Sequence, residues 1–298
     1  MASVTTLAAV AERLAQGQTL QAGDAEIVLV SHDLVTIGVM ADEIRRQRHG
    51  RDTTFVRVFE AHVDAVPAAL PVNVTAGEFR LIGHPTTVAA AVAAAAAMRR
   101  LAGTAPVFGY SLPDLEELGT TDVYAQLSAA GLDGIAEVPI DLLADSGPVR
   151  AARNAGLLVL RLTVDSAPAD LLELFAAAKG LSGEVGGFHA FAPLPRQLSV
   201  TAPTTGYDDV KEIALARMML DVPSIQVDWR LYGPKLAQVG LIVGADDIDG
   251  VVAAEPGTLG PRRTALEEVR GNIRAAGLEP VERDGRFVRL ADDEQARA

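Results

Sequence analysis

The chain reads as an α/β protein: a single (β/α)8 barrel of the TIM type behind an N-terminal helical extension. Three observations predict this. From about residue 51, short β-branched runs alternate with longer amphipathic or alanine-rich segments, the pattern of consecutive βα units around a parallel sheet. Eight strand candidates follow one another with no linker-like shift of composition between them. The length, 298 residues, is one that α/β barrels reach as a single unit.

Residues 1–50 form the extension. Leu7–Gln16 has helical character, and Asp33–Arg48 has more of it. Ser31 to Asp33 supply an N-cap oxygen, and Arg45, Arg46 and Arg48 crowd the C-terminal end, where cations offset the helix dipole. Glu26–Val30 is rich in β-branched residues but too short for periodicity to choose between strand and helix. His49-Gly50 is a helix stop. The barrel strands are expected at Thr54–Glu60, Phe79–Gly83, Pro106–Ser111, Gly134–Ile140, Leu157–Asp165, Gly187–Leu194, Ser224–Leu231 and Asp247–Val252. The helices are expected at Thr87–Leu101, Leu112–Ala130, Gly147–Asn154, Pro168–Lys179, Asp208–Leu220, Lys235–Val243 and Arg262–Ala276. Gly103, Gly131, Gly156, Gly180 and Gly277 fall where a helix end calls for a left-handed residue. A loop-like stretch replaces the helix after the first strand. The barrel thus covers 51–290, and 291–298 is a charged, frayed tail.

Composition narrows the function. Apolar residues make up 49% of the chain and aromatic residues only 4%, so the core must be built from Ala, Val and Leu. A net charge of −13 argues against nucleic acid and anionic membrane surfaces as partners, since both demand a cationic face. The N-terminal residues have no basic region followed by an apolar run, and Val88–Met98 is too short to span a bilayer. A cytoplasmic protein is expected. The absence of cysteine excludes disulfides, a thiolate nucleophile and cysteine-held clusters or zinc.

Several segments carry a resemblance. SHDLVTIGVMADEIRRQRHG (Ser31–Gly50) followed by TTFVR, AAGLDG (Ala129–Gly134), GGFHAFAPLP (Gly186–Pro195) and GPKLAQVGLIVGADDIDG (Gly233–Gly250) occur in one order along the chain. The last is the most specific, within the longer stretch Thr204–Gly250. Together they resemble the radical-SAM enzymes of the futalosine route to menaquinone, aminofutalosine synthase and cyclic dehypoxanthine futalosine synthase. The resemblance implies a barrel fold. It also implies a CxxxCxxC loop after the first strand, whose thiolates hold a [4Fe–4S] cluster. Here that position reads AHVDAVPAALPVNVTAG (Ala61–Gly77), with no thiol. Two further family features are altered: the glycines after the second strand (LIGHP, Leu81–Pro85) and an acidic stretch after the last one (EPGTLGPRR, Glu255–Arg263). Reductive cleavage of SAM is not expected, and neither is an iron–sulfur cofactor, although residual SAM or nucleoside binding remains compatible with the scaffold.

Barrel enzymes place their chemistry at the C-terminal ends of the strands. The polar residues assigned there are Glu60, His62, His84, Tyr110, Glu137, Arg161, Asp165 and His189. Strand seven adds Gln226, Asp228 and Arg230 at period-two spacing, and strand eight adds Asp246, Asp247 and Asp249. Glu60, His62, His189 and Asp228 are the acid–base candidates, and His84, Tyr110, Glu137, Arg161, Arg230 and Asp247 the ligand-binding ones. Glu137, Arg161, Asp228 and Arg230 read either as an ion-pair network around a ligand or as one filling the space of a lost cofactor. The scattered histidines resemble the ligands of metal-dependent barrel hydrolases, but without an HxH or HExxH signature no metal site is assigned. GADDIDG reads as the barrel's closing wall, and Arg262–Arg263 as an exposed basic pair. Two functions follow. One is a non-radical binding or partner protein of menaquinone biosynthesis, with a small molecule in the barrel mouth and a pathway enzyme or second copy as partner. The other is a lyase, hydrolase or isomerase acting on a futalosine-type or chorismate-derived molecule. The alanine-rich helix Thr87–Leu101 offers either a subunit contact or packing against the barrel.

Overall fold

Parallel strand pairing organises the molecule. The computed structural model describes residues 6–18, 20, 22–119, 122–197, 204–254 and 265–291. Three helices come first: α1 (Leu7–Ala15), α2 (Ala22–Val30) and α3 (Leu34–His49). The Asp33 carboxylate accepts the Thr36 N–H at 3.0 Å to cap α3, and Gly50 ends the helix at φ 60°. Glu26–Val30 is therefore helical; Ala25 and Val28 on α2 are fully buried in the core.

The barrel strands are β1 (Asp52–His62), β2 (Glu78–Ile82), β3 (Val107–Ser111), β4 (Gly134–Glu137), β5 (Leu158–Val159), β6 (Arg161–Val164), β7 (Ala190–Pro195), β8 (Ser224–Asp228) and β9 (Asp247–Val252). β5 and β6 are halves of one barrel strand, broken at Leu160, whose carbonyl accepts both the His189 and Ala190 N–H groups. β4 pairs with β5, Pro139 just beyond β4 bridges to Thr163 on β6, and β6 pairs with β7. From β7 the pairing runs through β8, β9, β1, β2 and β3 back to β4, all of it parallel, so the ring is complete. The helices outside it are α4 (Val88–Ala102), α5 (Leu112–Glu117), α6 (Val123–Ala129), α7 (Gly147–Asn154), α8 (Leu171–Val185), α9 (Gly206–Met219), α10 (Trp229–Leu241) and α11 (Ala265–Ala275). No helix separates β1 from β2. A last strand, β10 (Glu279–Glu282), pairs with Asp52–Phe55 of β1, and β2 takes over along β1 at Val58–His62.

Several boundaries differ from expectation. Leu112–Ala130 is two helices, because α5 stops before Gly119 (φ 66°) and α6 starts afresh. Gly180 lies inside α8, and Gly186 (φ 59°) is the residue that ends that helix. The seventh barrel strand, β8, stops at Asp228, whose carboxylate accepts the Leu231 N–H at 2.8 Å and caps α10, so Trp229–Leu231 is helical. The expected helix start at Arg262 and the EPGTLGPRR stretch lie outside the described residues, as does 292–298 of the tail. β10 was not foreseen.

The core between strands and helices is mostly aliphatic, with Phe55, Phe175 and Phe191 fully buried in it. Ala91, Ala94, Ala95 and Met98 of α4 are buried against β2 and β3, so the alanine-rich helix packs on the barrel and its small side chains permit close approach. Among the described residues, no helix is long and apolar enough to cross a membrane.

Candidate functional site

The inward side chains form charged layers from the base of the barrel to its mouth. At the base, Asp247 opens β9 and accepts Nε and Nη2 of Arg283, each at 2.6 Å, and Nε2 of Gln226 at 2.6 Å. Burial pushes the Asp247 carboxyl up, but Arg283 outweighs it and holds the group below its ordinary range. The Arg283 guanidinium sits 3.9 Å from the centre of the Phe287 ring, which stacks on His189 at 4.2 Å. Burial depresses the His189 pKa, favouring the neutral imidazole.

The middle layer is buried, and Arg80 forms part of the floor of a cavity above it. Along β2, Glu78 and Arg80 point inward together because side chains two apart share a face. Arg80 donates to Asp249 through both Nη atoms at 3.0 and 2.8 Å, and to Glu78 through Nε at 2.6 Å. Arg161 bridges the same carboxylates, 3.3 Å from Glu78 and 3.2 Å from Asp249. Glu78 and Asp249 are wholly buried, and Arg80 and Arg161 are 3% exposed. Desolvation raises the Asp249 pKa, yet Arg161 and Arg80 beside it hold the carboxyl well below the usual range.

Above this layer, Arg196 follows the end of β7. It reaches Asp228 at 2.5 Å and Glu137 at 3.4 Å, with Asp249 3.9 Å below. Its Nε and Nη2 atoms are buried without a hydrogen bond. At the rim, Glu60 pairs with Arg230, His84 bonds Asp114 at 2.8 Å, and the half-exposed His62 lies 3.6 Å from Asp64. Gly83 (φ 88°) adopts a left-handed backbone that favours glycine, and a Cβ there would sit 2.3 Å from His62 Nε2 and displace that ring.

A cavity of 340 Å³ opens beside this layer, lined by Arg80, His84, Asp114, Glu117, Glu137 and Asp165. An outer cavity of 820 Å³ lies between α5, α6 and α7.

The expected residues therefore separate. Glu60, His62, His84, Glu137, Asp228 and Arg230 stand at the mouth. His189 and Asp247 do not: His189 precedes β7 and Asp247 begins β9, which places both at the base. Tyr110 sits in the left-handed region (φ 65°) and lines the 340 Å³ cavity, while its hydroxyl donates to the Ala91 carbonyl of α4 at 2.8 Å. Arg161 is inside but sealed in the middle layer. Arg230 belongs to the first turn of α10, not to a strand with Gln226 and Asp228. The four residues expected in one network divide among three: Arg196 joins Glu137 to Asp228, Arg161 joins Glu78 to Asp249, and Arg230 pairs with Glu60. Glu78, Arg80 and Arg196 were missed. The charged–apolar alternation of Glu78–Ile82 signalled the first two; nothing local marks Arg196.

The iron–sulfur cluster implied by the resemblance does not fit. The chain has no cysteine, and the β1–β2 loop offers carboxylate and imidazole but no soft ligand. Among the described residues, no group of three or more His, Cys, Asp or Glu is placed to hold a metal ion.

Fold and site together define a parallel (β/α)8 barrel whose β1–β2 loop carries no thiol. The chain is a cysteine-free relative of aminodeoxyfutalosine synthase. It is 38% identical over 133 residues to that of Thermus thermophilus, covering 39% of this chain and 36% of that protein. To the Streptomyces coelicolor enzyme it is 34% identical over 138 residues, covering 38% and 35%. It is also 30% identical over 198 residues to 5-amino-6-(D-ribitylamino)uracil--L-tyrosine 4-hydroxyphenyl transferase of Methanopyrus kandleri, covering 54% and 53%. The matches thus span about a third to a half of these relatives. Two solved structures share the fold. FeFe-hydrogenase maturase HydG from Carboxydothermus hydrogenoformans has a TM-score of 0.63 at 14% identity, covering 92% of this chain and 79% of that chain. Methylornithine synthase (PylB) has 0.62 at 12%, covering 91% and 97%. No family model matches the chain.

Proposed function

We propose that this protein has given up radical chemistry and serves as a non-radical binding or partner protein of menaquinone biosynthesis by the futalosine route, taking a small molecule at its barrel mouth. The observation that carries this reading is a barrel related to aminodeoxyfutalosine synthase whose cluster loop has no thiol, above an interior whose charges neutralise one another. No iron–sulfur cofactor is required, and SAM or a nucleoside would bind as a ligand without being cleaved. The partner is a pathway enzyme or a second copy of the chain, and the compartment is the cytoplasm.

The test is a pull-down at low salt with the pathway enzymes, joined to thermal-shift measurements with SAM, adenosine and futalosine. Retention of a pathway enzyme or a concentration-dependent rise in Tm supports the proposal; neither occurring overturns it. A second reading, acid–base catalysis without iron, SAM or reductant, is favoured by the His84–Asp114 pair on the cavity wall. An imidazole oriented by a carboxylate is a proton-transfer unit, and its removal costs about 10²- to 10⁴-fold in rate. Incubation with futalosine-type and chorismate-derived compounds, followed by mass spectrometry, checks it. Turnover lost in His84→Ala supports this reading, and no conversion removes it.

A further inference from the structure

We infer that the mouth accepts an organic cation: a small molecule carrying a protonated amine or guanidinium on an apolar body. The inference rests on the proposed role of the mouth as a ligand site and adds the chemistry of the ligand. Pro113, Glu117 and Leu142 line both the 340 Å³ cavity and the 820 Å³ cavity, so the two form one cleft running from the barrel mouth outward between α5, α6 and α7.

The charge of this cleft is one-sided. Asp114, Glu117, Glu137 and Asp165 line its inner part, and Glu116 and Asp145 its outer part. Among the described lining residues, two side chains are basic, Arg80 and His84. Arg80 is committed below, its Nε on Glu78 and both Nη atoms on Asp249. His84 is engaged with Asp114. Arg196 compensates Glu137 from behind at 3.4 Å. The remaining partners are neutral donors that leave the charge in place: Gln197 and Ser166 on Asp165, the Tyr124 hydroxyl on Glu116, and the Gly147 N–H on Asp145. Burial raises the Asp114 pKa; His84 works against this, and Glu117 and Glu137 push it further up, as expected of acids gathered without enough counter-charge. A carboxylate or phosphate ligand would enter against this field, whereas a cation is drawn into it.

The cation is organic because, among the described residues, no convergent set of ligands is placed to hold a metal ion. Tyr124, Leu142, Leu143 and Pro148 in the outer part supply a surface for a ring or alkyl body.

The decisive probes are phenethylammonium and 3-phenylpropionate, which share a ring and chain and differ in the sign of their charge. Both are titrated into the full-length protein by calorimetry and by thermal shift. Phenethylammonium is expected to bind and raise Tm while 3-phenylpropionate does neither. Glu117→Gln, at an exposed position shared by both cavities, should weaken the amine about two- to fivefold, the scale of one solvent-exposed ion pair. Glu117→Lys should move the preference toward the anion. Equal or tighter binding of 3-phenylpropionate, no response to the amine at saturation, or an amine affinity unchanged in Glu117→Gln would overturn the inference. The separate outcomes stay distinguishable. If adenosine or SAM binds and the amine does not, the ligand class is wrong and the mouth is still a binding site. If the amine binds and neither nucleosides nor pathway enzymes do, the cation site stands and the menaquinone assignment falls.

Discussion

Arg80 and Arg161 share two carboxylates, Glu78 and Asp249, and all four side chains are buried. Each charge is costly to bury and tolerable only because the others are present. Arg80→Met should therefore lose about 3–5 kcal/mol of unfolding free energy, measured by urea denaturation, since it strands Glu78 and Asp249 with Arg161 alone. Two other buried groups give pH dependences of defined sign. Burial raises the Glu212 carboxyl on α9 to about 8, with Asp209 and Asp208 adding to the shift, and one of its oxygens has no hydrogen-bond partner. The folded state keeps a proton there that the unfolded chain releases near its ordinary carboxylate value. Stability from this group thus falls as pH rises from about 4.5 to about 8. Glu212→Gln should flatten that slope and gain on the order of 2 kcal/mol at pH 8 in thermal melts. His189 behaves oppositely. Its folded pKa is depressed, so the unfolded state binds the extra proton and stability is lost as pH falls below about 6.5. At this scale the sequence showed which residues are charged and, in Glu78–Ile82, that charge alternates with apolar residues. It did not show that Arg80 meets a partner 169 positions away.

At the scale of elements, β10 and the turn after it act as a strap across the barrel base. β10 extends β1 on one edge, the Gly285 N–H donates to the Gly77 carbonyl at 3.0 Å, and Arg283 enters to neutralise Asp247. Gly77 leaves room for this contact, since a Cβ there would lie 2.6 Å from the Arg283 carbonyl oxygen. Arg283→Ala should cost about 3–5 kcal/mol, and hydrogen exchange should report early loss of protection at Asp52–Phe55 and Asp247–Ile248. The strap escaped the sequence reading because Glu279–Glu282 has no alternation or β-branched run and pairs only through an edge that β1 already offers. By contrast, α7 and β9 lie where expected. Their cues are local: Ser146 and Pro148 at a helix start, and alternating apolar and acidic residues in Asp247–Asp249.

For the whole molecule, anaerobic incubation with iron and sulfide followed by desalting should leave no bound iron and no visible absorption band, because no thiolate is available to hold a cluster. The sequence by itself determined the barrel, a first-strand loop without thiols and the similarity to aminodeoxyfutalosine synthase. Each follows from periodicity, residue type or extended similarity, all of which are carried along the chain. Only the tertiary structure decided which polar residues share a site. Strand order brings β2, β6 and β9 to one interior. The point at which each strand starts then decides whether a side chain faces the mouth, as Glu60 and Asp228 do, or the base, as His189 and Asp247 do. That height is set by pairing register between distant strands, and no local pattern of residues records it.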